Sequence, residues 1–196
     1  MTKENIIIAS LRLFLMRGYK SVSLVDVASE LGITKGGIYH YFASKDELLH
    51  AALHFFLDRF EAKYKAMLSS PGSLKGVLQA LLVDDALDFH AKELLGVDNS
   101  SGIDHIHFAI EIMRLFPDVQ DRLQKNQAEF CTAIAVKMQR AIEQGEIRQD
   151  VDNEALAAIF VAMLNGQKSL GLDCQALAMR RRMLDNFWKL LSKVSA

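Results

Sequence analysis

The stretch ITKGGIYHYF, residues 33–42, decides how the rest of the chain is read. Ile38 and Phe42 are spaced as the inner side of a short helix, and Thr34 stands where a cap belongs. Yet the first turn holds Gly36 and Gly37, each costing a helix roughly 1 kcal/mol relative to alanine. On a helical wheel Lys35, Gly36, Tyr39 and His40 face outward, with Tyr41 at an intermediate angle. Glycines in a first turn allow close approach to bases and phosphates, and the N–H groups there suit a phosphate oxygen. Tyr39 can donate its hydroxyl to a phosphate, while His40 and Tyr41 lean toward base edges or thymine methyls.

Upstream, S-L-V-D at 23–26 resembles a capping box, and the helix it opens buries Leu24, Val27, Ala28 and Leu31 before Gly32 stops it. The connection Gly32-Ile33-Thr34 to the next helix has the spacing of a helix-turn-helix, whose second helix enters the major groove. A first helix is expected near 3–17, with Ile6, Ala9, Leu13 and Phe14 on one face and Gly18 at its end. Ser44 with Glu47 makes another capping box, opening a helix to about residue 68. Beyond the SSPGS break at 69–73, helices are expected near 74–95, 103–115, 118–144, 153–170 and 175–194. No strand-like alternation appears. The expected fold is all-α with about nine helices: a helix-turn-helix DNA-binding head at 1–46, and a helical bundle for ligand binding and dimerisation at 47–196.

Charge places the interface locally. The 196-residue chain has 23 Lys plus Arg against 24 Asp plus Glu, so a long-range basic field cannot be the whole basis of any nucleic-acid affinity. From Met1 to Lys45, however, six basic side chains face three acidic ones. The only cysteines, Cys131 and Cys174, lack any finger-like spacing, which argues against a disulfide scaffold or structural zinc. The start MTKENIII does not have the form of a secretory signal, and no uncharged run reaches the ~20 residues of a bilayer span. A cytoplasmic location and no membrane partner are expected.

The run from Ile6 through Leu49 resembles the DNA-binding head of the TetR family of bacterial transcription regulators, through LFLMRGY at 13–19, SLVDVASELGIT at 23–34, KGGIYHYF at 35–42 and SKDELL at 44–49. The resemblance implies a homodimeric repressor with a ligand-responsive all-helical C-terminal domain. It implies that Ser23 caps the second helix and touches a phosphate. Lys35, Gly36 and Gly37, following Thr34, match the start of the recognition helix, Tyr39, His40 and Tyr41 its contacting rings, and Lys45 a lysine that grips a phosphate. Two departures stand out. Gly37 occupies a position where relatives usually carry Thr or Ser, and Val25 replaces a polar reader, leaving an apolar methyl contact.

The bundle shows no nucleophile elbow, P-loop, HExxH or dinucleotide turn, so no enzyme is expected. Phe56, Phe60, Phe89, His90, His107, Phe108, Ile112, Phe130 and Ile134 are the candidate lining of an effector site. His50 and His54, four apart, have the spacing of a two-point metal site; helical histidines are far more often surface or core residues, and no metal or cofactor is expected. Leu156, Phe160, Met163, Leu164, Leu184, Phe187, Trp188 and Leu191 give the last two helices more apolar surface than one chain is expected to bury, pointing to a second copy. The expected partners are double-stranded operator DNA, a small-molecule effector and that second copy. The competing reading is a small-molecule sensor or carrier that signals through a protein partner.

Overall fold

The computed structural model describes residues 2–97, 115–169 and 176–192, and among these the regular structure is helical throughout. The elements are α1 Lys3–Arg17, α2 Leu24–Glu30, α3 Lys35–Tyr39, α4 Lys45–Ser69, α5 Leu74–Leu82, α6 Ala86–Leu95, α7 Pro117–Glu143, α8 Asn153–Ser169 and α9 Leu177–Leu191. Most of the helix expected at 103–115 lies outside the described residues, as do His107, Phe108, Ile112 and Cys174. No helix among the described residues is long and apolar enough to cross a membrane.

The chain forms two compact units: Met1–Glu61 with Phe89–Lys125, and Ala62–Asp88 with Asn126–Ala196. In the first, α1 starts at Thr2, whose hydroxyl accepts from Asn5 N–H, and ends at Gly18 with φ 80°. Helix α2 closes through a bond from Ile33 N–H to Ala28 C=O at 3.0 Å, with Gly32 at φ 64°. That 6→1 bond is the Schellman closure, which needs the left-handed residue glycine supplies. Phe14, Val27, Ile38, Phe42, Leu48 and Leu49 are at most 1% exposed and belong to one core. Each contributes about 1.5–3 kcal/mol by leaving water. Leu95 and Val119 join the same core, so the short helices do not stand alone.

In the second unit, the single helix expected across 74–95 is interrupted. Helix α5 buries Leu74, Val77, Leu78, Leu81 and Leu82. The next position of that stripe is Asp85, which has φ 53°. A carboxylate in phase with the apolar face ends the burial, and α6 begins at the following residue, Ala86. Glu146 caps α5 from a distance, accepting from Leu74 N–H at 2.8 Å and Lys75 N–H at 3.1 Å. Lys137, 7% exposed, donates to the Ser70 carbonyl at 2.6 Å, satisfying an orphan at the end of α4.

Helix α9 packs on α5, which corrects part of the expected dimer surface. Phe160 and Leu191 are fully buried, Leu184 and Phe187 are 3% and 4% exposed, and the Phe160 and Phe187 rings lie 5.5 Å apart. These four are interior residues of one chain and cannot meet a partner. Leu156, Met163, Leu164 and Trp188 are half-buried, and Lys75 Nζ covers the Trp188 ring at 5.4 Å. The exposed apolar side chains of these helices are Ile159, Leu177 and Leu190. Arg180 of α9 pairs with Asp85 at 3.3 Å.

Candidate nucleic-acid interface

Capping chemistry fixes both helices of the motif. Ser23 Oγ accepts from Asp26 N–H at 3.2 Å and donates to Asp26 Oδ2 at 2.6 Å, while Ser23 N–H donates to the same oxygen at 2.7 Å. This capping box holds the Asp26 carboxyl below the ordinary carboxylate range, the hydroxyl bond being the largest cause. Thr34 Oγ1 accepts from Gly37 N–H at 3.2 Å, so one of the first-turn N–H groups is already used. Ile38 at 0% and Phe42 at 1% exposure anchor α3 from below.

The opposite side of α3 is bare. Tyr39 is 48% exposed, Tyr41 39% and Val25, on α2, 52%. Lys35 Nζ lies 5.3 Å from the centre of the Tyr39 ring, and the His40 and Tyr41 rings meet edge-on at 5.0 Å. Lys45 Nζ sits 4.1 Å over the ring of Tyr19, whose hydroxyl donates to Asp46. The contact positions the ammonium at the start of α4.

A cleft of about 420 Å³ runs between the start of α2, α3 and the start of α4. Its lining includes Lys20, Ser23, Lys35, Tyr39, Ser44 and Lys45, and contains no carboxylate. Four of the candidate DNA contacts, Ser23, Lys35, Tyr39 and Lys45, therefore share one surface. Thr34 and Gly37 are tied to each other through the cap, and Gly36, His40 and Tyr41 lie outside the cleft lining. Lys20 was legible only as charge; its loop position gave no periodicity that would place it. The chemistry of the cleft suits an extended anion: three ammonium groups and hydroxyls, with no carboxylate among its lining residues.

The glycines of α3 answer to nothing inside the chain. An added Cβ would meet Thr34 Oγ1 at 3.7 Å from Gly36, or Ile33 Cδ1 at 3.6 Å from Gly37, both ordinary contacts. Neither has the positive φ of Gly18 or Gly32.

The proposed effector residues divide between the units. Phe56 and Phe60 are half-buried with stacked rings 6.4 Å apart, Phe89 is 58% exposed, and His90 lies 4.0 Å from Glu93; all four belong to the stretches around α4 and α6. Phe130 and Ile134 are buried in the second unit, the former with its ring 5.0 Å from that of Tyr64.

Comparison with known proteins identifies the family of the chain. The family model described as bacterial regulatory proteins, tetR family, matches residues 6–52, and the one described as tetracyclin repressor-like, C-terminal domain, matches residues 105–183. The chain is 28% identical over 147 residues to the transcriptional repressor KstR2 of Mycobacterium tuberculosis, a span of 71% of this chain and 66% of that one. It is 25% identical over 193 residues to the transcriptional regulator SrpR of Pseudomonas putida, covering 97% of this chain and 85% of the relative. The crystal structure of reduced NemR from Escherichia coli has the same fold, with a TM-score of 0.75 at 17% identity and 100% of both chains covered. With a head model and a C-terminal model both matched in the expected order, the chain belongs to the TetR family of bacterial transcription regulators.

Proposed function

We propose that this chain is a homodimeric repressor that binds a palindromic operator through residues 1–46 and is released from it by a small molecule bound within residues 47–196. The observation that carries the reading is the cleft beside α3, which gathers Lys20, Lys35, Lys45, Ser23 and Tyr39 without one carboxylate. Lysines at its ends hold the phosphate backbone and set the register, while α3 lies in the major groove. Tyr39 donates to a phosphate, and His40, Tyr41 and Val25 supply base-edge and methyl contacts.

Two heads on one dimer read half-sites about 34 Å apart, or a multiple of that distance. The second copy docks on the exposed side of α8 and α9, where Ile159 and Leu190 are 51% and 53% exposed and Ala155, Ala158 and Ala162 permit close approach. Effector binding need only favour another separation of the heads. By linkage, it then weakens operator binding as much as the operator weakens effector binding.

The test is a fluorescence-anisotropy titration of a duplex selected by this protein from a random pool, at two salt concentrations and against a scrambled duplex. Tight palindrome-specific binding with a steep salt dependence is the expected result. Weak binding that ignores sequence would refute the repressor reading.

A further inference from the structure

His50 and His54 lie one turn apart on α4, and Asp118 stands in the first turn of α7, 64 residues beyond His54 in sequence. Their ligand atoms converge. Asp118 Oδ2 is 2.6 Å from His50 Nε2 and 3.3 Å from His54 Nε2, and the two Nε2 atoms are 3.2 Å apart. We propose that this triad binds a divalent first-row transition ion of the Zn2+, Co2+ or Ni2+ class.

The dimensions fit such an ion. An ion about 2.1 Å from each of the three atoms would stand about 1 Å out of their plane, and tetrahedral ligands around it would be about 3.4 Å apart, near two of the triad's spacings, with His50 and Asp118 separating to admit it. The donor set, two imidazoles and one carboxylate, is one that late first-row ions accept. With side chains 39%, 32% and 58% exposed, the site is open to ion entry and leaves a position for water. The Phe116 ring packs against His50, centroids 5.4 Å apart, and limits its rotation. Without an ion, donation from both rings to one carboxylate oxygen would set two N–H dipoles side by side. An ion replaces that crowding with two lone pairs directed at a single charge.

Arg122 is the feature that must yield. Its Nη1 lies 2.7 Å from His54 Nδ1, a contact that needs Nδ1 unprotonated, whereas an ion on Nε2 requires Nδ1 to carry the hydrogen. Arg122 can leave it without becoming an unpaired cation, because Nη2 already meets the Asp58 carboxylate and lies 3.7 Å from Glu61. An occupied site joins the second turn of α4 to the first turn of α7, five residues along α4 from Lys45. This inference stands on the triad alone and does not depend on the effector reading.

The experiment uses the full chain without an affinity tag, stripped by a chelator and titrated with Co2+, whose visible absorption reports coordination. One equivalent should bind and be displaced by Zn2+. His50→Ala, His54→Ala and the volume-conserving Asp118→Asn should each weaken Co2+ binding at least tenfold, with circular dichroism unchanged. His40→Ala and His90→Ala should bind as the parent does. Absence of stoichiometric Co2+ binding in the parent, or titrations of the triad variants that superimpose on it, would overturn the proposal.

Discussion

Replacing Gly36 and Gly37 by alanine should make the protein more stable and a worse DNA binder. Alanine in a helix is favoured over glycine by about 0.5–1 kcal/mol, mainly because the unfolded chain has fewer conformations to lose. Here the gain is unopposed, since the new methyl groups meet neighbours no closer than 3.6 Å and both backbones are helical. The double variant should gain about 1–2 kcal/mol, raising the melting temperature by about 2–8 °C for a chain of this size. Gly18→Ala and Gly32→Ala are the contrast. There an added Cβ also finds open space, but φ is 80° and 64°, so alanine costs about 1–2 kcal/mol of backbone strain. Thermal and denaturant unfolding measure the first effect, and anisotropy on the selected duplex measures the second. In the latter, a methyl group between α3 and the groove should cost the Gly36/Gly37 variants at least tenfold in affinity, by about 1.4 kcal/mol. Destabilisation of the head, or unchanged operator affinity, would show that the glycines are not kept for approach to DNA.

Three further outcomes are expected. Lys20→Gln, Lys35→Gln and Lys45→Gln should each reduce the salt slope of operator binding by about 0.9 and weaken all duplexes alike; a loss confined to one base position would reassign that lysine. Ile159→Glu should give folded monomers by light scattering, whereas Phe160→Ala should cost about 3–5 kcal/mol of stability because that ring is fully buried; a persistent Ile159→Glu dimer would move the interface off α8. Asp26, whose folded-state value is lowered by Ser23, adds stability that is complete above the unfolded carboxylate value of about 4 and is lost as pH falls through the lower folded value. Asp26→Asn should flatten that acid limb of the denaturation-midpoint curve, and an unaltered curve would remove the capping box from the account.

The head was legible because its punctuation is local. Ser23 and Thr34 cap the helices they precede, and Glu47 reaches back to Ala43 N–H at 2.6 Å while Ser44 accepts from Glu47 N–H at 3.0 Å. All of these bonds span three or four residues, within the reach of pattern reading. What was missed depends on distant chain. Asp85 ends α5 where apolar residues continue on both sides, and its partner Arg180 comes from α9. Glu146 caps α5 from 72 residues away. Periodicity found the apolar face of α9 at Leu184, Phe187 and Leu191 but not what covers it, and assigned to a second copy what α5 and α8 already bury. Lys20 sits outside any helical pattern that could have marked it, and nothing in the pattern around Asp118 points to the α4 histidines it meets, 64 and 68 residues earlier.

The capping bonds also sort the roles within the head. The Ser23 hydroxyl proton is engaged with Asp26, and the Thr34 oxygen with Gly37 N–H. A phosphate reaching either residue must compete with a bond that holds its own helix in place. On the proposed reading the remaining phosphate contacts are those of Lys20, Lys35, Lys45 and the Tyr39 hydroxyl, all on one cleft. Such contacts fix position and carry no sequence information. On that reading, discrimination among bases falls to His40 and Tyr41, outside the cleft lining with their rings edge to edge, and to the Val25 methyls within it. With Gly36 and Gly37 offering only backbone, this surface is rich in apolar edges and poor in bidentate donors. Its preferred half-sites should be marked by thymine methyls more than by guanine, since guanine's O6 and N7 call for an arginine or lysine placed over the base.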